Sequence, residues 1–333
     1  MKALLSLETG GPETLQLVDT PDPVPGPGEV RIKVAGCAIN YPDQLIIRDL
    51  YQFKPSRPFA PGGEVSGTIE ALGDGVEGWK VGDRVAAITI FGGLQEKLCV
   101  AAERLLPVPE GIDLAQAAAM PISHMTALYA LRERGETRPG DTVLVLGAAG
   151  GVGLAAVELG KLLGARVIAA VSSEDKAIAA RAAGADDCMI YPRGPFDKDG
   201  AKALARQFKD ACGPSGAQVI VDNVGGEYAE AALRAIGWEG RFLVVGFPAG
   251  IPAIPLNLTL LKSCDIRGVF LGACVDREPA KGAALAAELF AWWAAGRISP
   301  QISATYPLEQ AGDAIAALST RTVIGKLLVT MHG

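Results

Sequence analysis

Residues 143–153 read VLVLGAAGGVG, and LAAVELGKLLGA follows at once. An unbroken apolar run is the pattern of a strand covered on both faces. The glycines then remove side chains where that strand must turn into a helix. Ala148, Gly150 and Gly153 give A-x-G-x-x-G. Gly150 would let backbone approach a pyrophosphate, and Gly153 would let the helix pack close to the strand. The helix N terminus adds free N–H groups and partial positive charge. A tight strand–helix turn with no ligand is the plain alternative. The βαβ setting favours a dinucleotide site.

The next strand decides which dinucleotide. It ends RVIAAVSSEDK, at 166–176. An NAD site calls for a carboxylate about 20 residues beyond the glycines, on the ribose hydroxyls. Ala170, Val171, Ser172 and Ser173 occupy that place, and Lys176 follows Glu174 and Asp175. Two hydroxyls and a cation suit a 2′-phosphate, so the cofactor reads as NADPH. The competing reading makes Ser172 or Ser173 a helix cap, with the acids favouring the helix dipole.

Around this unit the pattern repeats. DCMIY, AQVIVDNVGG and RFLVVGF alternate with amphipathic stretches such as AKALARQFKDACG, which predicts an α/β domain with a parallel sheet covered on both faces. Upstream, to about residue 120, short β-patterned runs such as EVRIKVAGCAI and GEVSGTIEAL are separated by PGPGE and GDGVEGWKVGD. That spacing predicts a compact, mostly β domain. Near 265 the alternation weakens. DIRGVFLGA reads as a strand, and a helix with Trp292 and Trp293 as core or subunit contacts follows.

Composition narrows the partners. The 333 residues carry 31 Lys and Arg against 37 Asp and Glu, a net charge of -6 with no basic block, which argues against nucleic acid. No run is long and apolar enough to predict a membrane span, and the N terminus lacks a signal pattern. The six cysteines are scattered without C-x-x-C, as expected for reduced thiols in a cytoplasmic protein.

The chain resembles the medium-chain dehydrogenase/reductase superfamily in its zinc-independent NADPH:quinone oxidoreductase branch. The likeness runs over nearly the whole length. It includes INYPDQLIIRDLYQFKPSRPFAPGGEVSGTI at 39–69, GDRV at 82–85, PISHMTALYAL at 121–131, VDNVGG at 221–226 and RTVIGKLLV at 321–329. It implies a GroES-like β-rich catalytic domain from residues 1–122 and 265–333. A Rossmann doubly wound NADPH-binding domain, 123–264, would be inserted between them. It also implies a homodimer through the DIRGVF strand.

Zinc relatives carry a Cys in the segment matching AGCAINYPD and a His directly before the Glu of PGGEVSG. Here Gly63 stands at that His, and Cys37 does not align with the usual ligand. The structural zinc lobe needs four close cysteines, where FGGLQEKLCVAAERLLPVPEG supplies only Cys99. Neither zinc site is expected. The two histidines, His124 and His332, offer no histidine-rich alternative, and His124 reads as a packed helix residue.

The resemblance further implies that Asn40, Tyr41 and Asp43 lie beneath the nicotinamide and that Tyr51 lines the substrate mouth. Tyr41 or Tyr51 is either a donor to the acceptor or a wall residue. Asp43 reads as an orienting carboxylate and Asn40 as a turn residue. For the cofactor it carries over Thr126, Ala149, Gly150, Gly151, Val152, Ser172, Ser173, Lys176 and Tyr191. It adds Asn223, Gly246, Phe247, Phe270 and Leu271. Tyr191 is implied to stack or hydrogen-bond near the adenosine phosphate. Arg321 is either a second cation for a phosphate or a surface arginine. The implied activity is hydride transfer to a small-molecule quinone. Reduction of an enone, enal or acyl-CoA alkene is the enzymic alternative. A non-catalytic NADPH-binding protein is the alternative of another class.

Overall fold

The computed structural model describes residues 1–331, so His332 lies outside the described residues. The chain forms two compact units. One is Met1–Ile122 with the chain from Ala286 onward, and the other is Ser123–Leu285.

In the first unit β1 (Lys2–Ser6) pairs antiparallel with β2 (Leu15–Asp19). A seven-stranded sheet takes up β3 (Glu29–Ile39), β4 (Glu64–Leu72), β5 (Arg84–Ile88), β6 (Lys97–Ala101) and β7 (Leu105–Pro107). Along β3, Val30, Ile32 and Val34 are fully buried, while Lys33 between them is exposed. This is the period-2 pattern of a sheet with one face on a core. β3 pairs with both β4 and β6, and its pairing with β4 shifts register twice. Such bulges bend and twist a strand. The short helix α1 (Tyr41–Ile46) leaves the end of β3.

The second unit is built on six parallel strands, β8 (Thr142–Leu146), β9 (Arg166–Val171), β10 (Asp187–Ile190), β11 (Ala217–Asp222), β12 (Ile236–Val244) and β13 (Asp265–Gly268). Their order is β10-β9-β8-β11-β12-β13, the doubly wound order whose direction reverses between β8 and β11. Val143–Leu146 are all fully buried, and each such side chain contributes about 1.5–3 kcal/mol by leaving water. α2 (Pro121–Leu128) precedes β8, α3 (Gly151–Leu162) follows it, and α4 (Glu174–Ala182) follows β9. Residues 265–285, which the resemblance assigned to the β-rich domain, fall in this unit. β13 pairs with β12 in parallel register, Arg241 opposite Asp265.

The chain then returns to the first sheet with β14 (Ile302–Pro307) and β15 (Lys326–Thr330). β15 lies between β14 and β3, parallel to one and antiparallel to the other. Its register sets Leu327 opposite Ile39, which brings Lys326 level with Asn40.

Candidate active site

The glycine turn lies between β8 and α3. Gly147 has φ +64°, a left-handed conformation that favours glycine. Gly150 is the N-cap of α3, and the nearest atom to a Cβ built there is the Gly147 carbonyl at 3.6 Å. At Gly153 a Cβ would come within 2.2 Å of the same carbonyl. So Gly153 is required for helix–strand packing, whereas Gly150 leaves open space above the turn. Ala149, Gly151 and Val152 complete the turn, with Ala149 buried and Gly151 and Val152 half-buried.

Most of the other cofactor candidates lie at the C-terminal ends of these parallel strands, where open α/β sheets bind ligands. Asn223 follows β11, and its Nδ2 donates to the Leu146 carbonyl at 3.0 Å, across the switch point. Its Oδ1 is buried without a partner. An orphaned buried acceptor is costly and points to a missing donor. Gly246 and Phe247 follow β12 and are tied to the same turn. The N–H groups of Val245 and Gly246 donate to the Asp222 carbonyl at 3.0 and 3.3 Å, and that of Ala249 donates to Val224 at 2.9 Å. The Asp222 carboxylate accepts from Val224 and Gly225, both at 2.9 Å. Burial pushes its carboxyl up against those two bonds.

At the end of β9, Lys176 Nζ lies 3.2 Å from Ser172 Oγ, while Ser173 caps α4 by position. All three side chains are partly exposed. Tyr191, after β10, is buried against Phe208 and Tyr228. Burial raises the pKa of its hydroxyl, against the nearby Gly147 backbone. Phe270 and Leu271 follow β13, the first exposed and the second buried. Thr126 is buried on α2. Arg321 belongs to the other unit, exposed, at φ +57° after a 3-10 turn.

His124 does more than pack. Its Nδ1 lies 3.0 Å from Ser123 Oγ and its Nε2 lies 3.1 Å from Glu158 Oε2. A Ser–His–Glu chain thus joins α2 to α3, where the sequence suggested no such arrangement. Ser123 and His124 are nearly inaccessible, which makes it a structural tie. Glu158 sits between alanine, valine and leucine in sequence, so nothing local marks it.

In the β-rich unit, buried Asp43, Glu64 and Lys326 form a polar cluster with half-buried Asn40. Lys326 Nζ donates to Asn40 Oδ1 at 2.5 Å and to Glu64 Oε2 at 2.8 Å. Asn40 Nδ2 donates to Glu64 Oε2 and to the Ala38 carbonyl, at 2.9 and 3.1 Å. Glu64 Oε1 accepts from the Ile122 N–H at 2.6 Å. Asp43 accepts from the N–H groups of Asn40 and Gly62 at 2.7 and 3.0 Å. Burial pushes the Asp43 carboxyl up to about 6, against those bonds and the Lys326 charge. The polar atoms of Asn40 and Asp43 are thus engaged inside the protein and hold the turn into α1. Tyr41 is 40% exposed. Tyr51 is half-buried with its ring 5.9 Å from Phe53. Burial, then the Asp43 charge, raises its pKa and keeps its hydroxyl a donor. Sequence reasoning missed Glu64 and Lys326 as partners, and they lie 262 residues apart.

Comparison with known proteins matches both units. Residues 26–110 fit the alcohol dehydrogenase GroES-like domain, and residues 151–288 fit the zinc-binding dehydrogenase model. Quinone oxidoreductase-like protein 2 of Bos taurus is 37% identical over 99% of this chain and 92% of its own length. The chain belongs to the medium-chain dehydrogenase/reductase family, in its quinone oxidoreductase branch. Two solved family structures share the fold at a TM-score of 0.90. One is the Escherichia coli quinone oxidoreductase complexed with NADPH, 29% identical, and the other is a mycobacterial protein complexed with NADPH, 31% identical. Each matches 99% of this chain and 100% of the other. No helix among the described residues is long and apolar enough to cross a membrane.

One family model is described as zinc-binding, and this donor set does not fit zinc. Among the described residues no three His, Cys, Asp or Glu side chains gather as ligands. A side chain at Gly63 would meet the Ile90 carbonyl at 2.9 Å. Burial, first of all, raises the Cys37 thiol and disfavours thiolate. Glu64 already has Lys326 as its cation.

Proposed function

We propose that the protein is an NADPH-dependent reductase of quinones that works without a metal. The observation that carries this reading is the Ser172–Lys176 pair at the end of β9, where an NAD site would place a carboxylate. The glycine turn, the orphaned Asn223 acceptor and the NADPH-bound relatives support the cofactor. The names of relatives support the quinone.

Bound NADPH supplies the hydride. Ser172, Ser173 and Lys176 hold the 2′-phosphate, with charge-assisted bonds that NADH could not form. The α3 N terminus and the Ala149–Val152 turn receive the pyrophosphate, with Tyr191 near that turn. Thr126, Asn223, Gly246, Phe247, Phe270 and Leu271 serve the rest of the cofactor. A reduced quinone oxygen carries negative charge and needs a donor. Tyr41 or Tyr51 supplies it, and Asn40 and Asp43 keep the turn in shape. The unpaired edge of β13 and the exposed Ile251, Leu256, Leu260 and Leu261 nearby in the chain, each at least 64% exposed, support a homodimer.

The test is loss of NADPH absorbance with a planar ortho-quinone and with a 2-alkenal, each repeated with NADH. Quinone-dependent turnover that favours NADPH is expected. Turnover with the alkenal alone would replace the quinone by an activated alkene.

A further inference from the structure

A buried ion pair is seldom a net gain in stability over a well-packed apolar pair. The side chains of Lys326 and Glu64 are 4% and 0% exposed, so both charges are withdrawn from water. Apart from the Ile122 N–H, which donates to Glu64 Oε1, the bonds of the two side chains end on one small region. Lys326, at the start of β15, reaches Asn40 and Glu64. Glu64, at the start of β4, reaches back to Asn40. The Asn40 amide has both protons and its oxygen engaged. Asn40 is the hinge where extended β3, with φ -127° and ψ 161° at this residue, gives way to α1. Asp43 fastens the hinge from inside the helix through the Asn40 and Gly62 N–H groups. The residue after the hinge is Tyr41, whose side chain emerges to solvent.

We infer that Lys326 is a positioning residue for the reaction: its ammonium locks Asn40 to Glu64 and so fixes the turn that presents Tyr41. The lock joins three strands that meet only through tertiary pairing, β15, β3 and β4. Its use is geometric. An ammonium with three donors in this space satisfies one amide oxygen and one carboxylate at once, which no apolar side chain can do. The inference rests on the proposed reading of the tyrosines as donors to the acceptor oxygen.

The experiment uses the double variant Glu64→Gln/Lys326→Met, which removes both charges so that neither is left buried alone. Hydrogen exchange of the amides of residues 40–46 other than Pro42 is read first, in protein without cofactor. Exchange at least about tenfold faster than in the parent is expected, since the hinge then opens locally. NADPH affinity, by calorimetry, is expected to be unchanged. kcat with an ortho-quinone is expected to fall about a hundredfold, the scale of an error of about 1 Å in placing a reacting group. A folded double variant with parental exchange and parental kcat would overturn the inference. Should the double variant not fold, Asn40→Ala leaves the ion pair intact and removes its grip on the hinge, together with the Asn40 bond to the Ala38 carbonyl. Parental exchange at 41–46 in that variant would overturn the inference equally. A parent inert toward NADPH and quinone would sink the proposed function, and the exchange result would still decide the lock.

Discussion

The two glycines of the nucleotide turn separate packing from ligand approach, and one methyl group at each makes the distinction measurable. At Gly153 an added Cβ would lie 2.2 Å from the Gly147 carbonyl and 2.8 Å from Ala148 C and Cα. These are backbone atoms, so no rotamer change relieves the contact and α3 must move off β8. Overpacking of this kind costs about 1–3 kcal/mol. The better helix propensity of alanine returns up to about 1 kcal/mol. With the full return, Gly153→Ala should therefore lose up to about 2 kcal/mol in urea unfolding, together with NADPH affinity. At Gly150 the nearest atom is 3.6 Å away and φ is -77°, so alanine fits without strain. Gly150→Ala should unfold like the parent. The new methyl projects into the space proposed for the pyrophosphate, so NADPH binding should weaken at least about tenfold, or 1.4 kcal/mol. Calorimetric titration beside urea unfolding gives both numbers. Parental NADPH affinity in Gly150→Ala would refute the pyrophosphate placement. A Gly153→Ala variant more stable than the parent would refute the close-packing argument.

Three further outcomes are expected. Lys176→Ala should cost NADPH about 1.5–3 kcal/mol of binding, a charge-assisted contact, and leave NADH nearly unaffected; equal losses would remove the 2′-phosphate argument. Asp43 has its carboxyl raised from 3.8 to about 6 in the folded protein. Folding is thus favoured by its proton below 3.8, and that advantage disappears as pH rises through 6. The difference of about 2 units corresponds to about 3 kcal/mol. Asp43→Asn should lack this component, so its stability relative to the parent should fall as urea unfolding is moved from pH 7 toward pH 4; parallel pH profiles would contradict the burial argument. The proposed dimer should be seen for the parent in sedimentation and be converted into monomers by Leu256→Lys/Leu260→Lys; a monomeric parent would refute the dimer, and an unchanged dimer in the variant would refute this contact.

The doubly wound sheet was legible because its signals are local. A buried parallel strand must be apolar throughout, and Thr142–Leu146 has four fully buried residues in a row. The turn after it must shed side chains, which is why the glycines could be given roles. The end of β13 was less legible. DIRGVF is a short, half-exposed stretch that alternates poorly, and only its hydrogen bonds to β12 reveal which sheet it joins. The position of Tyr191 just after a strand was legible, but its orientation was not. The burial of its ring against Phe208 depends on how α5 (Lys198–Cys212) packs, and sequence spacing does not report that.

The polar cluster of the β-rich unit lies at the other limit. Asn40, Asp43 and Glu64 all stand in one stretch whose resemblance to relatives is evident, yet their roles depend on a lysine 262 residues beyond Glu64. A lysine between glycine and two leucines in IGKLLV reads by itself as a surface charge at a strand end. The pairing of β15 with β3 turns it inward, and the register that sets Leu327 against Ile39 determines that Lys326 meets Asn40 and no other residue of the loop. A shift of one residue would turn every side chain of β15 to the opposite face, sending Lys326 outward and leaving Glu64 buried as an unpaired charge, at a cost of several kcal/mol. The cluster therefore selects the register that the two strands share. The hinge at Asn40 and the seven-stranded sheet are specified together, and a variant that loosens one is expected to loosen the other.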